Sequence, residues 1–382
     1  MRNNGEIRLQ KIVATVCATI FAAFSFLFVA RYQSPLLEIF YDHVATGKLA
    51  YNNYVVASIV SLSLTLVAIW LNKIAKFQQE WTAMAYLPSA LVLAFVTDID
   101  RTIYTGGGSF LAWIIIFVLG MFVYMSFSFV LQRVLFEKIK NMATSINRIL
   151  WRNLILFVLM FLLVGTLSNG EENLKREAKI MTLYKKGDME GAMKVGYKSL
   201  HTSPQLMALR AYILESSVGL GERLFEYPMT YGIRGLLPGI HQNSPLIPDS
   251  IYAMLGAKVT EGEDVMAFLS RAASDDSATT AAKNYYLSAL LLDRRLPEFK
   301  EKVLEFHGDK SLDLLPKHYR EALLLYSTFD EGYSLELKSD TLFQLYDSLK
   351  RIESKYDDIL LRNNYVRKSF GRTYWWYFLY GM

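Results

Sequence analysis

The amino-acid sequence predicts an all-α protein in which five transmembrane helices precede an α-helical domain. Apolar residues make up 52% of the chain and aromatic residues 14%, and this excess is concentrated in five long apolar runs before residue 168. After that position polar and charged residues recur at helical spacing, and almost no convincing strand pattern is present. The sequence therefore predicts two domains: a membrane domain over residues 1–167 and a helical domain over residues 168–382.

The five apolar runs cover residues 12–30, 55–71, 81–97, 110–132 and 149–167. Each has the ~17–25 residues that a helix needs to cross the hydrocarbon core of a bilayer. The uninterrupted part of the last run, residues 154–167, would span only about 21 Å, but starting at Ile149 lengthens it to about 28 Å. This longer helix includes Arg152, which can reach the headgroups because it lies near the helix end. We therefore expect all five runs to span.

The distribution of charge predicts an orientation and argues against nucleic-acid binding. The whole chain carries a net charge of +5, but residues 1–167 carry +6 and the remainder carries −1. The basic excess therefore belongs to the segments that flank the membrane helices. Placing the N-terminus in the cytoplasm puts 10 Lys and Arg residues on the cytoplasmic side and 3 on the other side. Positive charge favours the cytoplasmic side, so five crossings place the helical domain outside the cytoplasm.

Residues 184–204 read YKKGDMEGAMKVGYKSLHTSP. This segment resembles the tetratricopeptide repeat (TPR), a helix-turn-helix unit often written YKxGDYxEAIxxYxKALxxxP. Four positions carry the resemblance: Gly187 between the helices, Ala192 where they cross, Leu200 in the small-apolar pair, and Pro204 as the terminator. A bulky side chain at Ala192 would hold the helices apart, and Pro204 would end a second helix over 189–202. The resemblance implies a TPR-like array of helical hairpins.

The whole chain is similar to uncharacterised bacterial polytopic membrane proteins with repeat-like tails. The five apolar runs, the segment GERLFEYPMTYGIRGLLP at residues 221–238 and the aromatic C-terminus carry this second resemblance. It implies a multi-pass protein of the bacterial cytoplasmic (inner) membrane, with membrane lipid as one partner, and it implies no activity. The aromatic run at residues 374–380 is too short to span a bilayer, and we expect it to cap the core of the helical domain.

Asp98 and Asp100 are the candidate catalytic residues, because they stand where the third apolar run gives way to a predicted outer loop. Adjacent carboxylates at a membrane surface can hold a divalent cation that bridges to a phosphate. Membrane glycosyltransferases with polyprenyl-phosphate donors place an acidic residue on an outer loop for this reason or as a base. The motif is short and common, so a solvated loop is the simpler interpretation. The five histidines lack zinc-site spacing, and we expect no metal and no cofactor.

Three functions remain open from the sequence. The leading expectation is a membrane-anchored interaction or scaffold protein, because arrays of helical hairpins form concave surfaces that bind proteins or peptides. That step rests on analogy with the fold. The alternative is an envelope glycosyltransferase-like enzyme that acts on a lipid-linked substrate through Asp98 and Asp100. A transporter subunit is a third possibility, but the first four apolar runs carry no charged residue at their centres, which disfavours transport of charged solutes.

Overall fold

The computed structural model describes residues 4–45, 51–75, 77–101, 110–130, 145–197, 199–237, 250–260, 262–308, 312–330 and 340–381. Every regular element within these ranges is helical, which confirms the prediction of an all-α chain. The chain divides into two compact units, Met1–Ala178 and Lys179–Met382.

Six helices and the start of a seventh make up the described part of the first unit. They are α1 (Asn4–Leu27), α2 (Ser34–Val44), α3 (Asn53–Ala75), α4 (Leu87–Thr97), α5 (Phe110–Val130), α6 (Ile146–Leu167) and α7 (Glu172–Lys185). A π-helical turn, Phe28–Tyr32, follows α1, and a 3-10 helix, Gln79–Tyr86, precedes α4. The division between the units falls within α7.

Four helical stretches are long and apolar enough to cross a membrane: Arg8–Tyr32, Asn53–Ala75, Gln79–Thr97 and Ile146–Leu167. They correspond to the first, second, third and fifth predicted runs. The fourth run forms α5, which is apolar along its length. Its last two predicted residues, 131 and 132, lie outside the described residues.

The third run differs from the others because a 3-10 segment precedes its α-helix. Pro88 lies in the first turn of α4, where its missing N–H costs no helical hydrogen bond. Asn153 of α6 holds the 3-10 segment from the side. Its Oδ1 accepts from the backbone N–H of Ala83 at 2.8 Å, and its Nδ2 donates to the carbonyl of Gln79 at 2.8 Å. This stretch is the most enclosed of the four.

Small polar residues join the helices inside the first unit. The hydroxyl of Ser61 on α3 donates to the carbonyl of Ala22 on α1 at 2.8 Å and lies 2.9 Å from the hydroxyl of Ser25. The hydroxyl of Ser89 on α4 donates to the carbonyl of Leu64 on α3 at 2.9 Å. Such residues let helices approach closely in lipid, where apolar contact alone gives no preference for one neighbour over another.

The outward faces of these helices are apolar. Exposed side chains on α3 and α6 include Ile59, Leu62, Leu66, Trp70, Ile155, Leu159 and Leu162. Soluble monomers rarely expose apolar surface of this extent, whereas a bilayer is the solvent that such surface requires. The first unit therefore has the composition and the surface of a membrane domain.

The second unit continues α7 and adds eleven further α-helices in its described part. They are α8 (Met189–Lys194), α9 (Pro204–Ser217), α10 (Leu220–Arg223), α11 (Ser250–Leu255), α12 (Val265–Ser274), α13 (Thr280–Leu292), α14 (Leu296–His307), α15 (Lys317–Ser327), α16 (Asp340–Lys355), α17 (Ile359–Phe370) and α18 (Tyr374–Tyr380). Each of α12, α13 and α14 packs against the next helix in sequence, and α18 packs against both α15 and α17.

Side-chain caps explain where many of these helices begin. In each case a hydroxyl or carboxylate accepts a backbone N–H two or three residues ahead, which satisfies one of the unpaired donors of the first turn. The capping residues are Asp188, Ser203, Asp264, Thr279, Asp358 and Thr373. All six are Asp, Ser or Thr, which are favoured at this position, so the starts of these helices are encoded locally.

The segment that resembles a repeat is helical over a shorter range than the sequence predicts. Helix α8 ends at Lys194, whereas the prediction extended it over 189–202, so the prediction was wrong for its second half. Val195 is extended, and Gly196 adopts a φ of +62°, which an α-helix does not contain. The chain then turns before Ser203 caps α9.

The four residues that carry the resemblance occupy different environments. Gly187 adopts a φ of +78° in the turn between α7 and α8, a conformation that favours glycine. Ala192 is fully buried. Leu200 is 58% exposed, and Pro204 is the first residue of α9.

Candidate functional site

The acidic pair at the end of α4 takes part in a structural junction of the first unit. Asp98 follows the last residue of α4, and its Oδ2 accepts from the indole N–H of Trp113 on α5 at 2.7 Å. Asp98 and Asp100 are both half-buried. Between them, the carbonyl of Ile99 accepts from the side-chain amide of Asn169 at 2.6 Å.

Arg101 completes this junction with two carboxylates. Its guanidinium forms a two-pronged pair with Glu177, at 2.9 Å and 2.8 Å, and a single contact of 2.9 Å with Glu171. The Glu177 side chain is fully buried. Burial alone would lower the pKa of Arg101, but the hydrogen bonds and charges of Glu177 and Glu171 outweigh this effect and raise it. These contacts bind the loop after α4 to α7.

The described part of the chain contains no group of three or more His, Cys, Asp or Glu residues arranged to hold a metal ion. Asp98 and Asp100 therefore remain candidate catalytic residues on the basis of the sequence alone. The geometry around them gives Asp98 a specific structural partner in Trp113.

A cleft of about 290 Å³ lies in the second unit. Four short segments line it. The turn after α8 supplies Tyr197, Ser199 and Leu200, and the loop after α10 supplies residues 226–230. The end of α17 supplies Arg367 and Gly371, and α18 supplies Trp376, Tyr377 and Gly381.

Tyr227 lies at the base of the cleft and is 4% exposed. Its hydroxyl donates to the carbonyl of Met193 at 3.2 Å, and its ring meets that of Tyr197 edge to face, with the centroids 5.5 Å apart. The guanidinium of the buried Arg210 lies 5.0 Å from the same ring. Burial raises the pKa of Tyr227 to about 12, although the charges of Arg223 and Arg210 oppose this. Tyr227 is therefore a neutral hydrogen-bond donor at physiological pH.

Aromatic side chains of α18 form the opposite wall. The indole N–H of Trp376 donates to the side-chain oxygen of Asn363 at 3.0 Å, and the hydroxyl of Tyr377 donates to the carbonyl of Leu292 at 2.9 Å. Burial raises the pKa of Tyr377, against the charge of Arg294. Both rings are thus held in place by hydrogen bonds to neighbouring helices.

Two arginines lie over aromatic rings at the edge of this cleft. The guanidinium of Arg367 is 5.4 Å from the ring of Trp376, and that of Arg372 is 4.7 Å from the ring of Tyr197. Both arginine side chains are exposed. A cation–π contact of this kind contributes roughly 0.5–1 kcal/mol at an exposed site and favours a guanidinium position over the ring.

The single carboxylate among the described residues that line the cleft is Glu226. Its Oε2 accepts from Nε of Arg223 at 3.0 Å. Burial alone would lower the pKa of Arg223, but the hydrogen bond and charge of Glu226 more than compensate and raise it. The charges of Arg223 and Glu226 cancel each other. Arg367 and Arg372 therefore make the surroundings of the cleft positively charged.

A buried polar cluster fixes the start of α18, and through it the wall of the cleft. The Oε2 atom of Glu321 accepts from the backbone N–H of Tyr374 at 2.7 Å and from Nδ1 of His318 at 2.9 Å. The carbonyl of Glu321 accepts from the indole N–H of Trp375 at 2.7 Å. Tyr374 and Trp375 are almost fully buried and the rest of the run is half-buried, so the start of α18 packs into the core of this unit.

Part of this unit is similar to a known family. Residues 252–381 match DUF6057, a family of unknown function. No curated protein and no solved structure matches the chain. The matched segment includes the walls of the cleft formed by α17 and α18, together with the cluster around Glu321. The walls formed by the turn after α8 and by the loop after α10 precede residue 231 and lie outside the matched segment.

Sequence reasoning placed Leu200 in a hairpin and did not find the cleft. Leu200 instead lines the cleft with its side chain largely exposed. The available signal was the density of aromatic residues near the C-terminus together with Arg367 and Arg372. That signal does not reveal that Arg372 meets the ring of the distant Tyr197.

Proposed function

We propose that this protein is a multi-pass protein of the bacterial cytoplasmic membrane that presents a TPR-like helical domain outside the cytoplasm, where the domain binds a protein or peptide partner. The cleft in the second unit is the observation that carries this proposal. Protein-binding surfaces are enriched in Tyr, Trp and Arg at their centres, and these are the residue types that surround the cleft.

The proposal includes five membrane spans. The four long apolar stretches support it, and α5 adds a fifth apolar helix of 21 residues. The 10-to-3 distribution of Lys and Arg supports a cytoplasmic N-terminus. An odd number of crossings then places the helical domain on the opposite side.

The TPR-like architecture is supported by the packing of consecutive helices from α12 to α15. Arrays of this type stack one hairpin on the next and leave a concave surface for partners. The glycine turn at Gly187 and the buried Ala192 are the positions in the matching unit that agree with the repeat.

A pair of reporter fusions tests the orientation. Alkaline phosphatase, which is active only outside the cytoplasm, should be active when fused after Ser203 and inactive when fused after Lys76. The reason is that the positive residues around Lys76 favour the cytoplasmic side, whereas residue 203 follows all five spans. The measurement is phosphatase activity per amount of fusion protein.

A cytoplasmic reporter such as green fluorescent protein provides the matched control at the same two positions and should give the opposite pattern. Fluorescence after Ser203 without phosphatase activity would mean that one of the five runs does not cross.

Site-specific photo-crosslinking tests the binding function. A benzophenone amino acid at Leu200, which is 58% exposed and lines the cleft, should give a discrete protein adduct in native membranes. The same group at Leu314, which is 78% exposed and does not line the cleft, should not give that adduct. The measurement is the mass shift on a denaturing gel, followed by peptide sequencing of the adduct. Equal adducts at both positions, or none at Leu200, would contradict the proposal.

A further inference from the structure

We propose that the cleft recognises an acidic peptide segment, with Arg367 and Arg372 holding a carboxylate and the apolar lining receiving a neighbouring side chain. This inference rests on the proposed function and names the chemical class of the partner.

The first step is the charge at the rim. Among the described residues, neither Arg367 nor Arg372 forms an ion pair with a carboxylate. Glu226, the carboxylate among the described lining residues, is already engaged by Arg223 at 3.0 Å. Within the described residues, Arg367, which lines the cleft, and Arg372, which lies over the lining ring of Tyr197, therefore have no carboxylate partner, and an anion is the complementary ligand.

The second step is preorganisation. Each guanidinium lies over an aromatic ring, Arg367 over Trp376 and Arg372 over Tyr197, and both rings line the cleft. A guanidinium that is held flat presents parallel N–H donors to the two oxygens of a carboxylate, and less conformational freedom is lost on binding. Trp376 is itself fixed by its hydrogen bond to Asn363. The aromatic contacts thus favour one position of each guanidinium before a ligand arrives.

The third step is the apolar part of the lining. Leu200, Pro228 and Met229 line the cleft between the aromatic walls. A ligand that fills the cleft therefore needs an apolar group next to its carboxylate, as a peptide with Asp or Glu beside an apolar residue has. A volume of about 290 Å³ lies at the lower end of the range for small-ligand sites, roughly 300–1,000 Å³. It suits a few residues of a peptide.

Nucleic acid fits these walls less well. Unstacked bases bind on open aromatic faces, whereas one face each of Tyr197 and Trp376 carries a guanidinium, and Tyr227 is buried. A carboxylate can also come from a free organic acid, so the experiment needs one arm with a peptide and one with glutamate alone.

The test uses the full-length protein in lipid nanodiscs and an array of random hexapeptides. Bound peptides should be enriched in Asp or Glu next to an apolar residue, and a fluorescein-labelled peptide chosen from that set should bind in solution. The double change Arg367→Gln with Arg372→Gln should weaken its binding at least tenfold. Changing both residues to Lys should give an intermediate loss, since the charge stays and the planar fork is lost. Free glutamate at the same concentration should not compete.

Lys368→Gln is the matched control, because Lys368 is an exposed cation on the same helix that does not line the cleft. It should change binding less than twofold. Equal losses from Lys368→Gln and from the double change would reduce the effect to general charge attraction and overturn the inference. Peptide enrichment without acidic residues, while the Leu200 crosslink persists, would overturn the inference and leave the proposed function standing. Absence of the Leu200 crosslink would count against the proposed function itself.

Discussion

Glu321→Ala is expected to destabilise the second unit by about 3–5 kcal/mol. The change removes the acceptor for the backbone N–H of Tyr374 and for Nδ1 of His318, which lie 2.7 Å and 2.9 Å from the same carboxylate oxygen. Glu321 is 2% exposed and His318 and Tyr374 are fully buried, so water cannot replace the lost oxygen. Each buried donor left without a partner costs roughly 1–3 kcal/mol, and the cavity adds to that.

Pulse proteolysis of the full-length protein in detergent, over a series of urea concentrations, measures this effect through the fragments of the second unit. Glu301→Ala on the neighbouring helix is the control for loss of an exposed carboxylate, and it should change the midpoint little.

Tyr374→Phe provides a sharper comparison at the same place. The hydroxyl of Tyr374 is buried and has no hydrogen-bond partner among the described residues, whereas the backbone of Tyr374 carries the bond to Glu321. Removing the hydroxyl should therefore leave stability unchanged or raise it slightly. Equal losses of stability from Tyr374→Phe and Glu321→Ala would contradict this account. They would mean that side-chain packing of α18, and not the Glu321 carboxylate, stabilises this region.

The helices of the second unit were largely predictable because their signals are local. Residues Ile359–Phe370 have a helical pattern in the sequence and form α17, and Asp358 supplies the cap that starts this helix. Short polar residues at helix starts and prolines in first turns act within a few residues, so no knowledge of the tertiary structure is needed to recognise them.

The second half of the segment that resembles a repeat could not be predicted in the same way. The pattern from Met189 to Thr202 permits a helix, and glycine at position 196 only weakens it. In the fold, Val195 is extended, and its carbonyl accepts from the guanidinium of the buried Arg210 at 3.0 Å. This hydrogen bond takes the place of the one that the Val195 carbonyl would accept within a helix. Its donor, Arg210, lies on another helix, α9.

The cleft was invisible to sequence reasoning for a related reason. Its walls come from Tyr197, Tyr227 and Trp376, which meet only when the turn after α8, the loop after α10 and helix α18 come together within one unit. The ring that Arg372 covers belongs to a residue 175 positions away in the chain. A helical pattern gives the direction of a side chain on its own element but not the neighbour it will meet.

Ala192→Arg is expected to destabilise the second unit by several kcal/mol, about 3–5. Ala192 is fully buried on α8, a helix of six residues that packs against α9. The longer side chain must displace its neighbours, and overpacking of a core costs about 1–3 kcal/mol. An unpaired guanidinium adds a desolvation penalty at a site with no room for water.

The surroundings of Ala192 give little freedom to relax. The next carbonyl, that of Met193, accepts from the hydroxyl of Tyr227, and that of Val195 accepts from Arg210. A shift of α8 that made room for arginine would break both bonds and disturb the base of the cleft. The change should therefore also abolish the crosslink from Leu200. A packing defect confined to α8 would leave that crosslink in place.

Glu190→Arg is the matched control for Ala192→Arg, because it places the same side chain on the exposed face of the same short helix. It replaces a solvent-exposed ion pair with Lys194 by an exposed like-charge pair, an effect of roughly a few tenths of a kcal/mol, so the urea midpoint should stay close to that of the parent protein. The midpoint of the Ala192→Arg protein is measured by the same proteolysis. A midpoint equal to that of Glu190→Arg would show that α8 does not pack as a repeat hairpin requires, and the TPR-like part of the proposal would have to be abandoned.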